Sequence, residues 1–239
     1  MEFFIAGTDT GAGKTFVTAA LASSLLIRGI RTGVQKWVTT GNSSQSEDIE
    51  WIRSMVTATV GSQALKDMVF SSPYCLSLPA SPHLASEIDS VDIDIQYILS
   101  EYHRASSLTD ILLVEGTGGV MVPITRKLLY ADLLQQINPM VILVARSGLG
   151  TINHTLLTIE ALRKRGLNIL CVVLNSIDAT GKHDETSKII VEDNIRIIAD
   201  IGRVEVFGPL PFMSDPLSKR LLQYIEPVID RIMGACPDG

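Results

Sequence analysis

The first fifteen residues, MEFFIAGTDTGAGKT, constrain the fold more than any other stretch of the chain. They read as a short apolar strand, a glycine-rich turn and the start of a helix. The turn holds Gly11, Gly13, Lys14 and Thr15, the ending of a phosphate-binding loop. Glycines let the backbone fold back and aim several N–H groups at one point. The lysine adds a compact positive charge for the outer phosphates, and the Thr15 hydroxyl can ligate Mg²⁺. Against the pattern G-x-x-x-x-G-K-[ST], Thr8 takes the place of the first glycine and Gly7 lies one residue earlier. The plainer alternative is a glycine-rich turn before an ordinary helix. The order strand, loop, helix favours a site for a nucleoside triphosphate.

With 239 residues, the chain suits one α/β domain spanning residues 1–239, long enough to bury a core without covalent staples. Aromatics make up only 5% of it while 46% is apolar, so that core is built from Ile, Leu, Val and Ala. A net charge of −6, with no cluster of Lys and Arg, argues against nucleic acid as a partner. Cys75, Cys171 and Cys236 are widely spaced and form no C-x-x-C pair, which fits a reducing compartment and no zinc site. Cys171 lies in an apolar run and reads as a small core residue. No run is long enough to span a bilayer, and the N-terminus has no basic start or cleavage site of a signal peptide. The expectation is a soluble cytoplasmic protein with no membrane partner.

Apolar spacing predicts a helix over 15–28, closed by Gly29, then a strand over 31–35 and a polar loop up to Ser46. A helix follows from Ser46 to about Met55. Three prolines break the region 60–93, where a short helix from His83 to Ile88 is expected. After a helix over 94–106 comes ILLV, a continuous apolar run typical of a parallel strand buried on both faces. Then come a helix over 130–137, a strand over 140–145, a helix closed by Gly166 and a strand over 168–175. A helix over 184–200, a strand over 203–207 and a helix from Asp215 onward complete the chain. This alternation predicts an α/β fold of the P-loop NTPase type, a mostly parallel sheet with helices on both faces.

Ligands of such sheets bind beyond the carboxyl ends of the strands. Lys36, Thr39, Thr40 and Asp48 follow the second strand, and Glu115 to Gly119 follow ILLV. Gly148, Gly150, Thr151 and Asn153 lie beyond MVILVA, Asn175 ends the next strand, and Pro209, Leu210 and Pro211 follow the last. Glu115, at a strand end in a phosphate-loop protein, is placed to hold Mg²⁺, against the alternative of capping the glycine turn after it. Asp48 is equally readable as a metal ligand or as a helix N-terminal acid behind the N-cap Ser46. Lys36 is either a second cation facing the triphosphate or a solvated loop lysine. His154 falls on the first turn of a helix and reads as structural; H-E-x-x-H and G-x-S-x-G are both absent. Asn175-Ser-Ile-Asp178 is similar to the N-K-x-D stretch by which GTPases read guanine, but Ser176 replaces the lysine, so guanine recognition is the weaker alternative.

Taken together, several motifs resemble the dethiobiotin synthetase family. The family's G-T-D-T-x-x-G-K-T stands here as GTDTGAGKT, and its K-P-V-x-[ST]-G as KWVTTG, with Trp37 for proline. PYCLSLPASPH (73–83), VEGTGG (114–119, with Thr117 for alanine), LGTINH (149–154) and GPLP (208–211) follow in the family's order. The resemblance implies ATP- and Mg²⁺-dependent ring closure of diaminopelargonate with CO₂, through a carbamate and a carbamic–phosphoric anhydride, in a homodimer with substrate near the subunit interface. It further implies Lys36 and Lys14 as catalytic, and Thr15, Asp48 and Glu115 as metal ligands. Thr10, Gly11, Ala12, Gly13, Lys14 and Thr15 would cradle the nucleotide, with Asp48, Glu115, Gly116, Thr117, Gly118, Asn175, Pro209, Leu210 and Pro211. Thr40 would meet the diamine or its carbamate and Gly118 the substrate, with Gly150, Thr151, Ile152 and Asn153 approaching it from the partner subunit. Two rival readings are set aside. An ATPase switch that toggles on DNA or membrane typically carries an extra lysine early in the loop, where Gly7-Thr8-Asp9 stands here. A glutamine-using ligase needs an added amidotransferase domain, which does not fit this length.

Overall fold

A computed structural model describes residues 1–176, 185–212 and 219–236. In chain order its elements are β1 (Glu2–Gly7), α1 (Lys14–Ile27), β2 (Thr32–Lys36), β3 (Val38–Thr40), α2 (Glu47–Val60) and a 3₁₀ turn (Ser62–Asp67). Next come β4 (Val69–Ser71), β5 (Tyr74–Leu76), α3 (Pro82–Asp89), α4 (Ile95–Ser107), β6 (Ile111–Gly119), β7 (Pro123–Thr125), β8 (Leu128–Leu129) and α5 (Tyr130–Ile137). The chain continues with β9 (Met140–Arg146), α6 (Thr151–Arg163), β10 (Ile169–Asn175), α7 (Glu185–Gly202), β11 (Val206–Leu210) and α8 (Lys219–Ala235).

Seven strands form one parallel sheet in the order β11-β10-β9-β1-β6-β2-β4. Its strands are apolar at successive positions because both faces are covered. Alternation along each strand sorts the side chains between two cores. Phe3, Ile5, Ile142, Val144, Cys171 and Val173 join one core with α1, α2 and α8. Phe4, Ala6, Val141, Leu143, Val172 and Leu174 join the other with α4, α5, α6 and α7. Leu21 and Leu25 of α1 are fully buried, each worth about 1.5–3 kcal/mol of transfer free energy. The helix ends as Gly29 predicts: Gly29 takes φ 78°, and the Ile30 N–H donates to the Leu25 carbonyl at 3.1 Å.

Winding reverses at the centre of the sheet. From β6, between β1 and β2, the chain reaches β9 on the far side of β1. The carboxyl ends of β1, β2 and β6 therefore converge where a crevice is expected.

Several boundaries differ from those read in the sequence. The loop after β2 contains β3, which pairs with β5 in a separate two-stranded sheet. The helix after Ser46 runs to Val60, five residues past Met55. The Pro-broken region holds β4 at the sheet edge; three residues are too few for any periodicity to register. ILLV continues as a strand through its glycines, whose Gly119 pairs with Gly7. The last strand is not 203–207 but Val206–Leu210, so Pro209 and Leu210 lie in it rather than after it. Asp178, and the start of the last helix expected at Asp215, lie outside the described residues.

Candidate active site

A helix end without a side-chain cap opens the site. Gly13 is the N-cap of α1 at φ 95°, and no side chain caps the helix. By contrast, the Ser46 hydroxyl caps α2 by accepting the Ile49 N–H at 3.3 Å, and Asp94 caps α4 through the Gln96 N–H at 2.8 Å. The first N–H groups of α1 are thus left for an anion, with the positive end of the helix dipole behind them. Thr8 at the first loop position is no defect. Close approach is needed at Gly7, where an added Cβ would lie 2.8 Å from Lys14 Nζ, so the lysine chain crosses that glycine. Lys14 Nζ then donates to the Gly118 carbonyl at 3.0 Å and the Asp9 carbonyl at 3.4 Å.

Facing the loop, three strand and helix ends bring together a lysine and two carboxylates. Lys36 and Glu115 are register partners on β2 and β6, and Asp48 comes from the first turn of α2. Lys36 Nζ donates to Glu115 Oε1 at 2.9 Å and to Asp48 Oδ2. The Thr15 hydroxyl lies against both acids, 2.9 Å from Glu115 Oε1 and 3.1 Å from Asp48 Oδ1. Lys36 is 5% exposed, so the solvated-lysine alternative does not hold; the Glu115 carboxylate accepts from the Lys36 and Thr15 side chains rather than from N–H groups of the glycine turn.

Charge balance inside this cluster sets the lysines apart. For Lys36, burial favours loss of the proton, but Glu115 and then Asp48 outweigh it and the pKa is raised well above the ordinary lysine value. Among the described residues, Lys14 has no carboxylate contact of its own. Burial is the main reason its pKa falls below 10.5; Glu115 opposes the fall and Lys36 adds to it. Lys14 is the cation with charge to spare.

A divalent ion fits the donors present. Glu115 Oε2 is buried and has no hydrogen-bond partner among the described residues, and it belongs to a set of hard oxygens with Asp48 and Thr15. Among the described residues no three His, Cys, Asp or Glu side chains converge as a metal cage. An ion here would rely on water and a bound anion for its remaining ligands, as Mg²⁺ habitually does.

The cleft measures about 640 Å³ and is lined by Thr10, Gly11, Gly13, Lys14, Thr15, Lys36, Thr40, Asp48, Glu115, Thr117 and Gly118 among the residues singled out in the sequence. Pro79, Ala80, Ser81, Pro82 and Val122 also line it. The first four belong to the PASP stretch of PYCLSLPASPH, a motif of the resemblance to which the sequence assigns no site role. Asn175 sits at the end of β10 behind the loop: its Nδ2 donates to the Ala12 carbonyl at 3.2 Å, and an added Cβ on Gly13 would meet it at 2.0 Å. Leu210 is fully buried in the core, and its carbonyl accepts the Ser176 N–H at 2.9 Å. Gly150 to Asn153 form the N-terminus of α6, away from the cleft lining, with Gly150 at φ 86° as another N-cap lacking a side-chain cap. Trp37 stands next to Lys36 in the chain. It is fully buried, stacked on Tyr130 at 6.2 Å with 4° between the rings, and anchors the residue next to the lysine.

A parallel sheet, a phosphate loop at the end of its first strand and acidic side chains across the crevice define a P-loop nucleotide-binding protein. The solved MinD cell division protein of Aquifex aeolicus has the same fold, with a TM-score of 0.59 at 16% identity, covering 99% of this chain and 98% of that one. A ParA family ATPase from Chlorobium tepidum gives 0.54 at 15% identity, covering 100% and 93%. At such identities the likeness is one of fold alone. A family described as an AAA domain matches residues 1–219. Among curated relatives, the ATP-dependent dethiobiotin synthetase of Sphingopyxis alaskensis is 39% identical over 221 residues, 92% of each chain. That of Methanococcus vannielii is 37% identical over 206 residues, 86% of this chain and 90% of its own. The chain belongs to the ATP-dependent dethiobiotin synthetase family.

Proposed function

We propose that this protein is the ligase that closes the ureido ring of dethiobiotin from diaminopelargonate, CO₂ and ATP in biotin biosynthesis. The observation that carries the reading is the pairing of Lys36 with Glu115 and Asp48 directly across from the phosphate loop. One amine of the substrate adds CO₂ and releases a proton, giving a carbamate. A carbamate oxygen attacks the γ-phosphorus, the bond to ADP breaks, and a carbamic–phosphoric anhydride forms. The second amine attacks the carbonyl carbon, phosphate leaves with the C–O electron pair, and a proton is lost as the ring closes.

Two anions must meet in the second step, and they repel unless cations screen them. Lys14 and the N–H groups of Gly11 to Thr15 hold the phosphates. Lys36 serves the carbamate and the transferring phosphoryl, and Thr40 orients the diamine. Thr15, Asp48 and Glu115 would hold Mg²⁺, which when bound neutralises charge on the phosphate oxygens. Asn175 and the Pro209–Pro211 stretch would border the adenine. The uncapped N-terminus of α6, at Gly150 to Asn153, suits the substrate's carboxylate and would serve a second subunit's cleft in a homodimer. Three free cysteines, and no described helix long and apolar enough to cross a membrane, suit work in the cytoplasm as one catalytic unit.

The test uses ¹⁸O-bicarbonate with diaminopelargonate and ATP in a short reaction. The expected phosphate carries one ¹⁸O, passed from the carbamate. Unlabelled phosphate beside a formed ring would overturn the route, and absence of the ring would overturn the activity.

A further inference from the structure

Asp9 places a carboxylate at the root of a loop that must receive a polyanion. Its Oδ1 accepts the Thr10 N–H at 2.7 Å, its Oδ2 accepts Arg146 Nη2 at 2.9 Å, and its carbonyl faces Lys14 Nζ. Arg146 is the last residue of β9 and pairs in register with Asn175 of β10. The next residue, Ser147, donates its N–H to the Asn175 carbonyl at 3.1 Å, while Thr8 donates to Val144 at 3.0 Å. Strand β9 is thereby fixed to both sides of the loop, and Arg146 projects from a rigid base. The rule that singles out Lys36 and Asn175 at strand ends applies equally to Arg146.

The Asp9 and Arg146 side chains are 46% and 39% exposed, and a pair so open to solvent adds little to folding stability. Its effect is felt instead by charges nearby. Asp9 acts on Lys14 through space, raising its proton affinity, and would repel a triphosphate by the same field.

We propose that Arg146 is a positioning residue for the nucleotide: it cancels the Asp9 charge and holds that carboxylate beside the loop, so that Lys14 meets the phosphates undiluted. This rests on the nucleotide site proposed above. Asp9 keeps the loop folded through its bond to the Thr10 N–H, and Arg146 removes the electrostatic cost of having an acid there. Deleting Arg146 alone leaves a bare negative charge; deleting both charges leaves none.

Binding of Mg²⁺·ATP is measured by calorimetry for the wild type, Arg146→Ala, Arg146→Lys and the double variant Asp9→Asn/Arg146→Ala. The asparagine keeps the acceptor for Thr10. Arg146→Ala is expected to bind roughly fivefold more weakly, the scale of one half-solvated charge interaction. That deficit shrinks at about 0.5 M salt, where exposed charges are screened. Arg146→Lys retains wild-type affinity, and the double variant recovers to within about twofold of it. A double variant as weak as Arg146→Ala at both salt concentrations, or an Arg146→Ala indistinguishable from wild type, would overturn the inference. Failure of the wild type to bind ATP is a separate result, which overturns the nucleotide site itself.

Discussion

Lys36 and Glu115 face each other across adjacent parallel strands, and each makes the other's burial tolerable. Removing one partner of a buried pair costs about 3–5 kcal/mol, because the remaining charge is left uncompensated. Lys36→Ala should therefore lower the thermal midpoint, with Mg²⁺·ATP restoring part of it as the ion takes over Glu115. Because Lys14 and the loop remain, ATP binding stays nearly intact while ring closure is lost; normal turnover would remove Lys36 from the mechanism. Glu115→Gln keeps the shape but not the charge, and is predicted to weaken Mg²⁺-dependent nucleotide binding. Nucleotide titrations with and without Mg²⁺ decide it, since an unchanged Mg²⁺ dependence would end its role as a ligand. Lys14 supplies a pH signature. Its folded pKa is lowered, so in the window between that value and 10.5 the folded state binds fewer protons than the unfolded state. Stability contributed by Lys14 rises with pH across this window, whereas ATP affinity falls as the charge is lost and Lys36 stays protonated. ATP affinity that is flat up to pH 10.5 would contradict this.

The elements around the loop are matched to it. In Gly13→Ala, the new methyl meets Asn175 in a backbone conformation that costs an L residue about 1–2 kcal/mol. The Asn175 amide must leave its place at the Ala12 carbonyl and the loop must hold a strained φ, so nucleotide binding is expected to be lost while the sheet remains; ATP-induced thermal stabilisation equal to wild type would refute this. The loop and the buried strands were legible in sequence because glycines, a lysine and continuous apolar runs are local signals. Lys36 and Glu115 were found from strand ends alone, but their pairing was not, since it depends on β6 lying beside β2, 79 residues away. What escaped was short or non-local. β3, β4 and β5 have three residues each, and the Pro79–Pro82 wall of the cleft is irregular chain placed by its neighbours. The last strand lies further along than its sequence suggests because a glycine and a proline sit inside it; its Leu210 is nonetheless buried in the core beside β10.

At the scale of the whole molecule, fold and chemistry separate cleanly. The sheet is shared with MinD and ParA proteins at 15–16% identity, so the architecture alone leaves switch and synthetase both open. Family membership selects the synthetase. In the proposed function, ATP cleavage is coupled to a diamine. The most direct measurement is phosphate release with ATP, Mg²⁺ and bicarbonate, with and without diaminopelargonate, and with the organic product followed by mass. The expected release depends on the diamine and matches a cyclic urea in amount. Slow hydrolysis indifferent to the diamine, with no urea formed, would contradict it.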